Sequence, residues 1–245
     1  MGRLEGRVAL VTGASRGIGY HAALGLAREG AHVIATARTT GGLEELDDEI
    51  REAGGSATLV PMDLADFDAI DRLGAAIDQR WGKLDIFLAN AGMLGGLSPL
   101  GHHEPKNFQK LFDINVTANW RFIRSLDPLL RASGSGRTIF ISSGVAHSCR
   151  PFWGPYAASK AALEVLARVY AAESASTGIC ANIVNPGATR TAMRAQAMPG
   201  EDPMGLPHPA DLAADFVMLS EAQMTTSGKI WDCTSKRFLE PAMPG

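Results

Sequence analysis

Short apolar runs alternate with longer stretches of helical period from one end of the chain to the other. Val8–Thr12 (VALVT) is a buried-strand run, followed by a glycine turn and a helical pattern over residues 18–29. Gly30 then stands where a helix C-cap glycine belongs. The pattern next predicts a strand over 32–36, a helix over 43–53 stopped by Gly54-Gly55, and a strand over 58–61. A helix over 67–80 and a strand over 84–89 complete the first half. The second half repeats the rhythm with a long helical region over 105–131, expected to bend near Pro128. It continues with a strand over 138–142, a helix over 156–176 and a strand over 180–184. Residues 187–208 are rich in Pro, Gly and Met and read as a long loop. A short helix over 210–219 and a last strand near 229–232 follow.

Strand and helix in strict alternation imply a doubly wound α/β fold, a mainly parallel seven-stranded sheet with helices on both faces and right-handed crossovers. The near-continuous apolar character of the strands agrees, because parallel strands are buried on both sides. No linker or composition break interrupts the pattern, so one domain over 1–245 is expected, with 187–208 as a lid or specificity loop. In such sheets ligands bind beyond the carboxyl ends of the strands. The chemistry is therefore to be sought just after each strand.

After the first strand comes Thr12-Gly13-Ala14-Ser15-Arg16-Gly17-Ile18-Gly19. Three glycines between strand and helix let the backbone pass close to a pyrophosphate, and the helix N-terminus offers free N–H groups and a positive dipole end. Gly13-Ala14-Ser15-Arg16-Gly17 is also formally a GxSxG nucleophile elbow, the hydrolase alternative. An elbow normally follows several strands, one of whose loops supplies half of the oxyanion hole, and here only one strand precedes Ser15. After the second strand comes Thr36-Ala37-Arg38-Thr39, with no carboxylate before Glu44. An acidic residue there would suit the free ribose 2′-hydroxyl of NAD, whereas arginine suits the 2′-phosphate of NADP. Arg38 with Arg16 points to NADP(H) rather than NAD(H). After the fifth strand come Ser142-Ser143, and a helix opens with Tyr156-Ala157-Ala158-Ser159-Lys160. Tyr and Lys four residues apart share a helix face. An ammonium beside the phenol is expected to pull its pKa from about 10 toward neutrality, making it a usable acid/base.

These strings together resemble the short-chain dehydrogenase/reductase family: the Gly13/Gly17/Gly19 turn, Asn90-Ala91-Gly92, Ser143, Tyr156-xxx-Lys160 and Pro186-Gly187. The likeness runs from about Gly6 to Thr191 and is nearest to the branch that includes carrier-protein-linked 3-oxoacyl reductases. It implies a Rossmann-type fold and an oxidoreductase that moves a hydride between NADP(H) and a carbonyl or secondary alcohol. It further implies that Tyr156 is the acid/base, that Lys160 holds the nicotinamide ribose, and that Ser143 hydrogen-bonds the substrate oxygen. Asn115 matches a family asparagine that organises a water chain from Lys160. Asp63-Leu64 match the adenine-contacting pair, and Pro186, Gly187, Thr189 and Thr191 belong to the segment around the nicotinamide carboxamide. Asn90-Ala91-Gly92 departs from the usual Asn-Asn-Ala-Gly only at Ala89. The larger departure is Gly228–Ser235, where Asp232 stands without the glycines usual in relatives, so the tetramer many relatives form is less secure here than the catalytic site, and the resemblance implies a homodimer or homotetramer.

Composition narrows the remaining classes. Glycine makes up 27 of 245 residues, above the average of about 7%. Net charge is −3 with no basic run, which excludes the electrostatic footprint of nucleic-acid binding. Three scattered cysteines without CxxC suit a reducing, cytoplasmic setting, and no apolar run approaches a membrane span. Met1-Gly2 invites a myristoylation reading, which Gly6 in place of Ser or Thr argues against. His102-His103-Glu104, and His147 with Cys149, read as solvated side chains, and no metal is called for. Phe152, Trp153, Met193, Met198 and Met204 suggest an adaptable apolar wall for a small carbonyl or alcohol substrate. The non-enzymatic alternative, an NADP-binding sensor on this fold, would be expected to lack Ser143, Tyr156 or Lys160.

Overall fold

The computed structural model describes residues 2–241. Met1, where the sequence argues against acylation, and residues 242–245, the end of the expected domain, lie outside the described residues.

One eight-stranded sheet carries the order β3-β2-β1-β4-β5-β6-β7-β8. The strands are β1 (Val8–Thr12), β2 (His32–Ala37), β3 (Ser56–Pro61), β4 (Ile86–Ala89), β5 (Arg137–Ile141), β6 (Cys180–Asn185), β7 (Ile230–Asp232) and β8 (Arg237–Leu239). The seven expected strands are present and mutually parallel. The eighth was not anticipated. It folds back antiparallel on β7, Trp231 opposite Phe238, through a turn with Lys236 at a φ of 52°. Three residues of alternating character are too short a signal to separate from a loop.

The helices are α1 (Gly17–Arg28), α2 (Gly41–Glu52), α3 (Phe67–Trp81), α4 (Pro105–Phe112), α5 (Ala118–Ala132), α6 (Val145–Ser148), α7 (Gly154–Glu173), α8 (Ala192–Ala197) and α9 (Ala213–Leu219). Side-chain alternation along the strands sorts them into two layers. Ala9 and Val11 face α1, α2 and α9 through Leu26, Leu46 and Phe216. Val8 and Leu10 face α3, α5 and α7 through Ile70, Phe122 and Leu163. Both faces of β1 are buried, which is why its sequence shows no polar alternation. Gly30, at a φ of +92°, ends α1, with Ala31 N–H donating to the Leu26 carbonyl as a C-cap glycine arrangement requires.

Two helical expectations need correction. The 105–131 region is interrupted at Asp113–Thr117, a π turn between α4 and α5, rather than at Pro128, which lies inside α5. The 187–208 segment is not wholly a loop: it holds α8 and a 3-10 turn at Pro203–Gly205.

Candidate active site

The carboxyl ends of β1 to β6 open onto one cleft of about 1130 Å³. It begins at the glycine turn between β1 and α1. Gly13 and Gly17 adopt φ of +67° and +60°, where a side chain is strained. A Cβ on Gly13 would lie 2.9 Å from Asn90 Nδ2, and one on Gly19 only 2.3 Å from it. That space is taken because Asn90 reaches across from the end of β4. Its Nδ2 donates to the carbonyls of Thr12 (2.9 Å) and Gly13 (3.1 Å). Thr12 Oγ1 in return accepts from the Asn90 and Ala91 amides, both at 3.1 Å. The two strands are thus tied where the strand order reverses, the place such sheets reserve for ligands. No side chain caps α1, and its first residues, Gly17 and Ile18, line the cleft. Their amides are free to meet an anion.

Arg16 and Arg38 flank this end with exposed side chains and no ion pair among the described residues. Asp63 and Leu64, after β3, close it, and Asp63 Oδ1 accepts from the Ala65 amide at 3.0 Å. The chain after β6 folds over the glycine turn. Gly187 has a φ of +71° and donates its amide to Asn185 Oδ1 at 3.3 Å. Thr189 is buried, with its hydroxyl donating to the Pro186 carbonyl. Thr191 starts α8 by accepting the Arg194 amide at 3.1 Å, and its methyl would lie 3.5 Å from a Cβ on Gly17.

At the other end α7 brings Tyr156 and Lys160 beneath Ser143, which follows β5. Lys160 is buried and its Nζ donates to the Ile141 carbonyl at 2.7 Å, 5.8 Å from the centre of the Tyr156 ring. Burial pushes the Tyr156 phenol up to about 12, against a smaller downward pull from its hydrogen bond with Ser143. The expected shift toward neutrality is therefore reversed: the ammonium is spent on a main-chain carbonyl, and desolvation dominates. Burial also lowers Lys160 to about 8, opposed by the charge of Glu164. Around the phenol stand Leu94, Trp153 and Ala197, with Met93, Met193 and Met198 packed against them. Met204 (75% exposed) and Phe152 take no part in this wall.

Of the expected catalytic and cofactor-binding residues, all line the cleft except Gly19 and Asn115, which lie buried behind it. The Asn115 side chain is spent on the Met93 amide (2.9 Å) and carbonyl (3.0 Å) and on Ser159 Oγ (3.0 Å). It ties the π turn to the β4 loop and to α7. Ser15 sits in the glycine turn, and His21, which lines the same cleft, makes no hydrogen bond to it among the described residues. One residue escaped the sequence reading, and one reading needs correction. Glu164 accepts a hydrogen bond from Ser142 and pairs with His147 on α6, so His147 is half-exposed and partnered rather than simply solvated. Only the spacing of Glu164, four residues beyond Lys160, hinted at a place on the same helix face.

Comparison with known proteins bears on the family and the fold. The family described as short chain dehydrogenase matches residues 7–202. An uncharacterised oxidoreductase of Escherichia coli, YciK, is 38% identical over 219 residues, 88% of this chain and 86% of its own. A 3beta-hydroxysteroid dehydrogenase of Mediterraneibacter gnavus is 32% identical over 83% of this chain and 78% of its own. A short chain dehydrogenase of Shigella flexneri, solved in complex with NADP, superposes with a TM-score of 0.90 at 38% identity. That likeness covers 94% of this chain and 98% of the other. An Escherichia coli structure complexed with NADPH gives 0.89 at 37%, covering 94% and 97%.

Proposed function

The chain belongs to the short-chain dehydrogenase/reductase family, an NAD(P)-dependent oxidoreductase, and from that premise we propose that it is an NADP(H)-dependent carbonyl reductase. Its substrate would be a small, largely apolar ketone or aldehyde, with the matching alcohol in reverse. The carrying observation is the convergence of Ser143, Tyr156 and Lys160 at one end of a cleft whose other end holds Arg16 and Arg38.

The residues present fit the dinucleotide. A Cβ on Gly13 or Gly19 would collide with Asn90, and Gly92 leaves room above Asn115 Oδ1 and Lys160 Nζ, which a Cβ there would approach to 3.3 Å and 3.6 Å. Gly13, Ser15, Gly17 and Ile18 would hold the pyrophosphate, with Gly19 packed behind them against Asn90, and Arg16 and Arg38 the 2′-phosphate. Asp63, Leu64, Asn90 and Ala91 would take the adenosine side, with Gly92, beside Lys160, at the passage to the nicotinamide side. Tyr156, Lys160, Pro186, Gly187, Thr189 and Thr191 would take the nicotinamide side. When bound, the cofactor supplies or accepts the hydride.

The chain supplies the proton and the orientation. A phenol raised to about 12 stays protonated across the physiological range, which suits Tyr156 to delivering its proton to the substrate oxygen during reduction. Ser143, hydrogen-bonded to that phenol, donates toward the same oxygen. Lys160, pinned to the Ile141 carbonyl, holds positive charge behind them. Asn115 keeps the β4 loop and α7 in register. Trp153, Leu94 and Met193 exclude water from the reacting face. One continuous sheet through the described residues supports reading the chain as one domain, and the 187–208 segment over the cleft would be its lid.

The reading is tested by following NADPH oxidation over a panel of ketones, quinones and 3-oxoacyl thioesters. Turnover of at least one substrate is expected, with Tyr156→Phe slower by about 100-fold or more. Equal rates for Tyr156→Phe and the wild type would sink the catalytic assignment. Activity on 3-oxoacyl thioesters alone would favour that narrower alternative.

A further inference from the structure

Tyr156, Lys160 and Glu164 recur every four residues along one face of α7, and each meets one of three consecutive residues at the end of β5. Tyr156 bonds Ser143, Lys160 Nζ bonds the Ile141 carbonyl at 2.7 Å, and Glu164 Oε1 accepts from Ser142 Oγ. Glu164 is 6% exposed. Its second oxygen lies 2.8 Å from Nε2 of His147, whose side chain is 50% exposed on α6. A buried carboxyl group is costly unless both oxygens find partners, and here each finds one on a different element. An apolar residue would fill the same place without that requirement. The charge is therefore the feature to explain.

We propose that Glu164 is a positioning residue of the active site: anchored from the surface by His147, it fixes the Ser142-Ser143 segment one helical turn beyond Lys160. This rests on the reading that Ser143, Tyr156 and Lys160 carry the reaction. The main chain of segment 141–143 is tied to the sheet by Ile141 and by the Ser142 amide on the Val184 carbonyl at 2.8 Å, and to α6 by the Ala146 amide on the Ser143 carbonyl at 3.0 Å. Side chains from α7 add two ties between these. Lys160 supplies one, on the Ile141 carbonyl, and Glu164 the other, on the Ser142 hydroxyl.

The electrostatic half of the argument concerns Lys160. The titratable groups facing it are Tyr156 and Glu164 on its own helix, with His147 of α6 behind Glu164. The β5 end offers the Ile141 carbonyl, and the β4 loop and π turn offer Gly92 and Asn115, none of which titrates. Burial lowers the ammonium to about 8, and the Glu164 charge works against that. Removing the charge lowers it further, so the ammonium is lost at a lower pH and the alkaline limb of kcat moves down.

Glu164→Gln keeps the size and an acceptor for Ser142 but removes the charge. Relative to wild type, kcat at pH 8 is expected to fall about tenfold, and the alkaline limb to move down by roughly one pH unit. KM for the carbonyl and Kd for NADPH should stay within about twofold, since Glu164 touches neither. Glu164→Asp keeps the charge and should retain the wild-type limb even if kcat drops through the shorter reach. His147→Ala, at a half-exposed position, should lower kcat several-fold with the limb unmoved. A Glu164→Gln enzyme with wild-type kcat and limb overturns the inference. So does a loss of kcat with an unmoved limb, which marks a structural role only. Should Glu164→Gln not fold, wild-type kcat in both Glu164→Asp and His147→Ala overturns it instead. If wild type turns over no carbonyl, or Tyr156→Phe matches it, the underlying reading fails; an inactive Tyr156→Phe beside an unaffected Glu164→Gln sinks only the role of Glu164.

Discussion

Arg38 follows β2 with an exposed guanidinium and no ion pair among the described residues, at the place where a carboxylate would serve a free 2′-hydroxyl. Arg38→Asp is expected to weaken NADPH by about 10- to 100-fold, the equivalent of the ~1.5–3 kcal/mol typical of a hydrogen bond to a charged group. NADH should bind the variant as well as or better than it binds wild type. Separate titrations of the two cofactors measure this, and a wild type that prefers NADH refutes it. Arg38 was legible in the sequence because its type and its place after a strand are both local facts. The phenol of Tyr156 was not. Its spacing from Lys160 suggested a lowered pKa, whereas the folded site raises it to about 12. Spacing puts the ammonium nearby, but burial and the competing Ile141 carbonyl decide where the ammonium bonds and what the phenol feels.

At the level of elements, the strand-to-helix turns carry the site, and Gly19 shows how tightly. A Cβ there would lie 2.3 Å from Asn90 Nδ2 and 2.4 Å from the Gly13 carbonyl oxygen. Gly19→Ala must therefore displace backbone or break the Asn90 bridge. We expect a loss of about 1–3 kcal/mol in stability, by analogy with overpacked cores, and a marked loss of NADPH affinity. Gly54→Ala is the control: its φ of +79° strains any side chain, but nothing lies within 4 Å. It should lose about 1–2 kcal/mol and leave NADPH affinity unchanged. Thermal unfolding with and without NADPH distinguishes the two, and equal NADPH affinity in both variants would refute the account. The long regular elements were readable from period alone. The π turn at Asp113–Thr117, α6 and β8 were not, because each is short and held by partners far off in sequence. Asn115, for example, is fixed by Met93 and Ser159.

Across the whole molecule, charge is distributed against its sum. The chain carries a net −3, yet Arg16, Arg38, Lys110, Arg150, Lys160, Arg190 and Arg194 line the cleft with Asp63 as the lining carboxylate among the described residues. Part of this is cancelled locally, since Arg194 is paired with Glu201 at 2.6 Å. A cleft of one sign focuses potential and speeds the arrival of an anion. The association rate of NADPH should therefore fall several-fold as salt rises from about 0.01 M to about 0.15 M, while the Debye length shrinks from about 30 Å to about 8 Å. NADH, with less charge, should slow less; a salt-independent NADPH rate in stopped-flow fluorescence would count against the steering. The sequence alone determined the alternating architecture, the glycine turn, the order of the chemical residues after the strands and the arginines after the first two strands. Those follow from local period and from motifs whose parts lie close along the chain. Only the tertiary structure decided that Glu164 reaches Ser142, that Asn90 staples β1 to β4, and that burial outweighs the lysine at Tyr156. Such outcomes depend on which groups meet across 20 to 80 residues of chain and how much water is excluded when they do, and no window of sequence contains that.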